Sequence, residues 1–182
     1  MKNTIKIVVI CIIAVVTVAG IILVINNLGP NRDFKQDMRN FVQEISAYAK
    51  AIDADFLIIP QNGQELLTAN GTENGIPDAN YTAAIDGVGR EDLFYGYDND
   101  DIATPISERN YMMAFLDIAE SNGVEVLVTD YCWTYAKMDD SYIQNALKGY
   151  ISFAADHREL DNIPTYPAPL YNMSALNITN LS

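Results

Sequence analysis

Few of the residue types that assemble common catalytic centres occur in this chain: among 182 residues there are one histidine, two cysteines and one tryptophan. The lone His157 cannot form a histidine cluster, and neither C-x-x-C nor H-E-x-x-H spacing occurs, so a zinc site is not expected. A phosphate-cradling G-x-x-x-x-G-K-[ST] and a G-x-G-x-x-G turn are also missing, and no cofactor is implied. Cations are scarce too. Eleven Lys and Arg face 24 Asp and Glu, a formal net charge of −13, and such a surface repels nucleic acid phosphates. With Cys11 inside an apolar run, Cys132 has no disulfide partner; read as a strand-end residue, it is expected to act as a small apolar core group rather than a nucleophile.

Charge is wholly missing from one stretch. Ile7 to Ile25 is apolar or small throughout, about 19 residues, close to the roughly 20 that cross a bilayer core. Residues 1–26 are expected to be a retained transmembrane helix, with Lys2 and Lys6 inside and the rest outside. A cleaved signal peptide, giving a secreted protein, is the rival, but its apolar region is normally about 7–15 residues. The outward part then carries −15, which suits a solvated domain or a cationic polymer as partner. Five Asn-x-Ser/Thr sequons, starting at Asn70, Asn80, Asn172, Asn177 and Asn180, are compatible with that location.

Residues 27–36 read as a linker, and Met38, Phe41, Val42, Ile45, Tyr48, Ala49 and Ile52 then recur at helical steps as one apolar stripe. Strands are expected at Phe56–Ile59, stopped by Pro60, at Tyr81–Ile85, at Val124–Thr129 and at Tyr150–Phe153. Helices are expected from Ser107 and through Ile143, Ala146 and Leu147, with long loops at 70–80 and 87–105. Gly87-Val88-Gly89 reads as flexible backbone at a strand end, and residues 173–182 as an irregular tail. This is α/β alternation: four βα units with parallel strands, compatible with a small open sheet or half of a closed barrel.

In either arrangement, functional groups belong after the carboxyl ends of strands. Those places hold Gln61, Asn62 and Glu65; Asp86, Arg90, Glu91, Asp92 and Tyr95; Asp130, Tyr131 and Trp133; Asp156 and His157. Carboxylates and amides match sugar hydroxyls, and aromatic rings cover the apolar faces of sugar rings. Glycosidic cleavage needs two carboxyl groups, and Glu91, with Asp86, Asp130 or Glu65 as companion, fits that need.

Four phrases in order, MRNFVQEISAYAK from Met38, FLIIPQNGQEL from Phe56, IDGVGREDLFYG from Ile85 and VLVTDYC from Val126, carry a resemblance. Over residues 37–172 the chain resembles the bacterial and archaeal branch of glycoside hydrolase family 114, the endo-α-1,4-polygalactosaminidase-like proteins, which have a TIM (β/α)8 barrel. The resemblance implies that the four βα units are the carboxyl-terminal half of that barrel. It implies Glu91 as general acid/base, Asn62 near the sugar and Asp130 beyond the seventh strand. Asp86, Tyr95, Tyr131 and Trp133 complete the expected substrate-binding set, with a galactosamine-containing polysaccharide as partner. The family's other catalytic carboxylate, an aspartate in a DGVYLD-like phrase, has no counterpart here. About 156 outward residues also fall short of the roughly 250 of a full barrel. Hydrolysis is therefore expected to need a second half-barrel subunit or a homodimer, the alternatives being a non-catalytic polysaccharide-binding module and an inactive fragment. A label relating some members to cysteinyl-tRNA synthetase finds no nucleotide motif here.

Overall fold

A computed structural model describes residues 33–166. The expected span at 1–26, most of the linker and the 173–182 tail lie outside the described residues. No helix among the described residues is long and apolar enough to cross a membrane.

The first helix, α1 (Phe34–Ile52), divides the expected apolar stripe between the core and the surface. Val42 and Ala49 pack on the core, but the rest of the inward face is polar. Arg39, fully buried, donates from Nε to Leu66 O at 2.9 Å and from Nη2 to Thr68 O, and lies 3.6 Å from Asp78. Ser46 Oγ donates to Ala84 O at 2.6 Å and Lys50 Nζ to Asp86 at 2.7 Å. Met38, Phe41, Ile45, Tyr48 and Ile52 turn outward, each 43–74% exposed. Phe41, Ile45, Tyr48 and Ile52, with Phe56, border a groove of about 520 Å3. Helical periodicity locates an apolar stripe without saying whether this chain covers it.

Residues 57–61 run alongside the first strand, β1 (Gly87–Glu91), in parallel. Gly87 N and Gly89 N donate to Ile58 O and Pro60 O, and Asn62 N donates to Gly89 O. Pro60 has no N–H to return, which interrupts the ladder and leaves an irregular edge where a full strand was expected. The carboxylate of Asp86 takes the Ile58 N–H instead, at 2.7 Å.

The expected strand at Tyr81–Ile85 is a helix, α2 (Ala79–Ala84), started by Asp78, whose Oδ1 accepts from Tyr81 N at 3.0 Å. The strand is the next segment, Gly87–Glu91, which the sequence suggests is loop. Its glycines are there for clearance: a Cβ on Gly89 would stand 1.9 Å from Gln61 Oε1, and one on Gly87 3.0 Å from Leu127 Cδ1. Close approach of neighbours overrides the low strand preference of glycine.

Helix α3 (Ile106–Ser121), strand β2 (Glu125–Tyr131), helix α4 (Tyr135–Lys148) and strand β3 (Ile151–Ala155) follow, close to their expected positions. The sheet is three-stranded, ordered β1-β2-β3, and parallel throughout. Paired residues share a face, so Val88, Val126, Val128 and Ala154 lie on one side. There they join Phe115, Leu116 and Ala119 of α3 and Met138 and Tyr142 of α4 in the core. The opposite face carries Leu127, Thr129, Ile151 and Phe153, all only half-buried.

Candidate functional site at the carboxyl ends of the strands

Parallel pairing brings the residues after 61, β1, β2 and β3 to one rim. Glu91, the last residue of β1, meets Gln61, whose Nε2 donates to Glu91 Oε1 at 3.1 Å. Asn62 Oδ1 accepts from Glu91 N and from Arg90 Nη1, each at 3.5 Å. Asn62 and Gly63 are consecutive residues with φ of 59° and 69°, a left-handed turn that asparagine and glycine tolerate best. That turn sends the chain back over the strand end and sets the amide beside Glu91. Burial, the largest influence on Arg90, lowers its guanidinium pKa against the pull of Asp92, Tyr97, Glu65 and Glu91.

Of the other expected site residues, three stand where a ligand on this rim does not meet them. Asp86 lies before β1, at the opposite end of the strand, paired with Lys50 and the Ile58 N–H. Displacement of the strand from 81–85 to 87–91 moves it there. Asp130 is fully buried on the helix-covered face. Its Oδ1 accepts from Phe94 N at 2.8 Å and Tyr95 N at 3.2 Å, and its Oδ2 from Ser141 Oγ at 2.6 Å and Asn145 Nδ2 at 3.3 Å. Burial pushes this carboxyl up, against those four hydrogen bonds. Asp130 is a strut fastening the loop after β1 to α4. Tyr95 is buried beside it, and its hydroxyl donates to Asp140 Oδ2 at 2.8 Å. Burial first, then that carboxylate, raises the phenol.

Tyr131 ends β2 on the rim but is 3% exposed. Its ring is roofed by Arg158, whose guanidinium carbon lies 4.2 Å from the ring centroid. Arg158 also donates to Asp100 at 2.6 Å, Gly96 O at 2.8 Å and Asp92 at 3.1 Å, tying the segment after β3 to the loop after β1. Sequence reading missed this residue. Its position after the fourth strand, in a segment with few cations, was the available signal.

Trp133 differs from Tyr131, with 52% of its surface exposed. Its backbone is nevertheless fixed by Asp101, a second residue missed. One Asp101 oxygen accepts from Trp133 N at 3.1 Å and Thr134 N at 3.0 Å, the other from Thr134 Oγ1 at 2.7 Å and Lys137 Nζ at 2.9 Å. Burial opposes the charge on Asp101, but these bonds win and hold it at about 2. Between Tyr131 and Trp133, Cys132 is fully buried, its thiol pushed up to about 12 by burial and then by Asp130 and Asp101. Beyond β3, His157 sits between two carboxylates, Nδ1 2.6 Å from Asp156 and Nε2 2.6 Å from Asp161.

The molecule is thus a mixed α/β protein whose parallel sheet presents a glutamate flanked by two amides, and an exposed tryptophan, along its carboxyl-terminal rim. The chain is 32% identical over 154 residues to an uncharacterized protein of Methanocaldococcus jannaschii, an alignment covering 79% of this chain and 42% of that relative. The chain therefore spans less than half the length of this relative. No protein-family model matches the chain. No solved structure matches it.

Proposed function

We propose that this chain is a carbohydrate-active protein of the endo-α-1,4-polygalactosaminidase type, forming the carboxyl-terminal half of a barrel and hydrolysing glycosidic bonds only with a second half. In this reading Glu91 is the general acid/base and Asn62 orients the sugar beside it. The observation that carries it is the Gln61–Glu91–Asn62 group at the strand ends, where one amide donates to the Glu91 carboxylate and the other accepts from the Glu91 backbone N–H. The sheet supports the half-barrel. Helices α3 and α4 cover one face, and the other, which would line a barrel interior, is half-buried at Leu127, Thr129, Ile151 and Phe153. The outward stripe of α1 offers that second half a place to pack. A second copy of the chain is the other candidate for the role. The substrate proposed is a galactosamine-containing polysaccharide, and residues 1–26 are proposed to hold the domain at the outer face of a membrane.

Hydrolysis of partially deacetylated galactosaminogalactan, by the full chain alone and with a supplied amino-terminal half, tests the reading. Turnover is expected only with the second half, falling about 100-fold or more in Glu91→Gln. Turnover that persists in Glu91→Gln overturns the assignment of the acid. The exposed Trp133 favours a second reading, a glycan-binding module without catalysis, which no turnover under any pairing would select.

A further inference from the structure

The dipeptide Asn-Gly occurs four times in the chain, at Asn62, Asn70, Asn74 and Asn122. In this dipeptide the glycine nitrogen can approach the side-chain amide before it, because no Cβ stands in the way. At three of the four the fold holds that nitrogen. Gly71 N donates to Thr68 O at 3.1 Å, Gly75 N to Thr72 O at 2.9 Å and Gly123 N to Glu120 O at 3.0 Å. Their asparagine side chains are engaged as well. Asn70 Oδ1 accepts from Thr72 N and Thr72 Oγ1, Asn74 Nδ2 donates to Glu73 Oε1, and Asn122 Nδ2 donates to Ile118 O at 2.7 Å.

The pair at the rim differs. Gly63 is exposed, and its N–H has no acceptor among the described residues. Asn62 Oδ1 faces Glu91 N and Arg90 Nη1 at 3.5 Å, too far for a firm hold, and its Nδ2 has no partner among the described residues. The same two donors stand where negative charge gathers on Oδ1 when the amide carbon is attacked. Attack requires the peptide joining the two residues to rotate, and of the four pairs this is the one in which rotation breaks no bond of the glycine N–H. We infer that Asn62–Gly63 is a site of self-modification in the folded chain, at which Gly63 N attacks Asn62 Cγ. The N–Cγ bond forms and the Cγ–Nδ2 bond breaks. The Gly63 proton reaches the leaving nitrogen through solvent, and ammonia departs from a five-membered imide. Water then opens the ring at either carbonyl, leaving aspartate or isoaspartate at position 62. Both products put a carboxylate beside Glu91, and a like charge nearby raises a carboxyl's proton affinity. The inference goes beyond the carbohydrate reading, since the reaction needs only the chain and water.

The test compares the full chain, kept folded in mildly alkaline buffer with mild detergent, with the same chain unfolded in guanidinium chloride. Cleavage after glutamate puts the four asparagines on separate peptides, and mass spectrometry reads the amide-to-acid conversion of each with time. In the folded chain Asn62 should convert about fivefold faster than the other three, the factor for one hydrogen bond that they must break first. In the unfolded chain the four rates should converge within about twofold, because local structure no longer separates them. A folded-state rate at Asn62 no greater than at the others overturns the inference. So does a lead that persists in the unfolded chain, which would assign it to neighbouring sequence and not to the fold. Neither outcome depends on whether the chain hydrolyses a glycan.

Discussion

Replacing Asp130 by alanine should cost this fold about 3–5 kcal/mol, the range for breaking a buried, hydrogen-bonded charge. The side chain is fully buried and accepts four hydrogen bonds. Two come from the backbone N–H groups of Phe94 and Tyr95, which have no other acceptor at hand when the carboxylate is gone; each unsatisfied buried donor costs roughly 1–3 kcal/mol. Asn145 keeps its bond to Ser141 O at 2.9 Å, so the α4 side loses less. Burial raises the Asp130 carboxyl, and removing the charge recovers part of its desolvation cost, which pulls the total toward the lower end. Asp130→Asn should fall between wild type and alanine, because the amide preserves the shape but turns an N–H toward one pair of donors. The same shift sets a pH slope. With its folded value raised, the group costs the wild type stability as pH rises from about 3.9 through that raised value, and Asp130→Asn lacks this loss. Urea unfolding followed by circular dichroism and tryptophan fluorescence measures all three proteins. An Asp130→Ala chain with an unchanged midpoint but lost glycan binding would refute the argument, since the carboxylate would then have to face ligand.

The other predictions concern charge and surface. Asp101→Ala should cost about 2 kcal/mol at neutral pH, because the side chain is buried and its loss leaves the N–H groups of Trp133 and Thr134 without their acceptor. In the wild type that contribution is present above about pH 4 and fades as pH falls toward 2, as melting curves across that window would show; a flat profile contradicts it. His157 is raised chiefly by its bond to Asp161 and then by Asp156, so its fastening of the turn is complete below about 6.5 and is lost as pH rises through the raised value. The single imidazole signal in an NMR titration should move to lower pH in Asp161→Asn, and no movement would count against the pairing. Tyr48→Glu and Ile45→Glu on α1 should change stability by no more than about 0.5 kcal/mol while abolishing association with a second half, measured by sedimentation. Unfolding by either substitution would mean that the stripe is covered within the chain.

Much of the scaffold was legible because its signals are local. The 3.6-residue periodicity of α1 and the β-branched run of β2 mark those elements whatever surrounds them. The exchange of strand and helix around residues 79–91 was not, because Tyr81–Ile85 carries apolar residues suited to either form, and the Asp78 cap and the crowding over Gly87 and Gly89 decide between them. At the site, Glu91 and Asn62 lie together as the strand-end argument expected, but Asp130 does not share their rim. Its parity held the clue: residue 130 is in step with Val126 and Val128, which face the helices. Asp101 and Arg158 act across the fold, over sequence separations of 32 and 66 residues to Trp133 and Asp92, and no spacing rule connects such partners.

The sealed position of Cys132 turns the rim into its own timekeeper. Fully buried and with its thiol held near 12, this cysteine is protected from alkylating reagents while the ends of β2 and β3 stay joined, its N–H donating to Ala155 O at 2.9 Å. Its rate of modification therefore counts openings of the strand ends between Trp133 and Asp156. A companion half that clamps the sheet should slow that count, while a ligand touching only the exposed ring of Trp133 should leave it running.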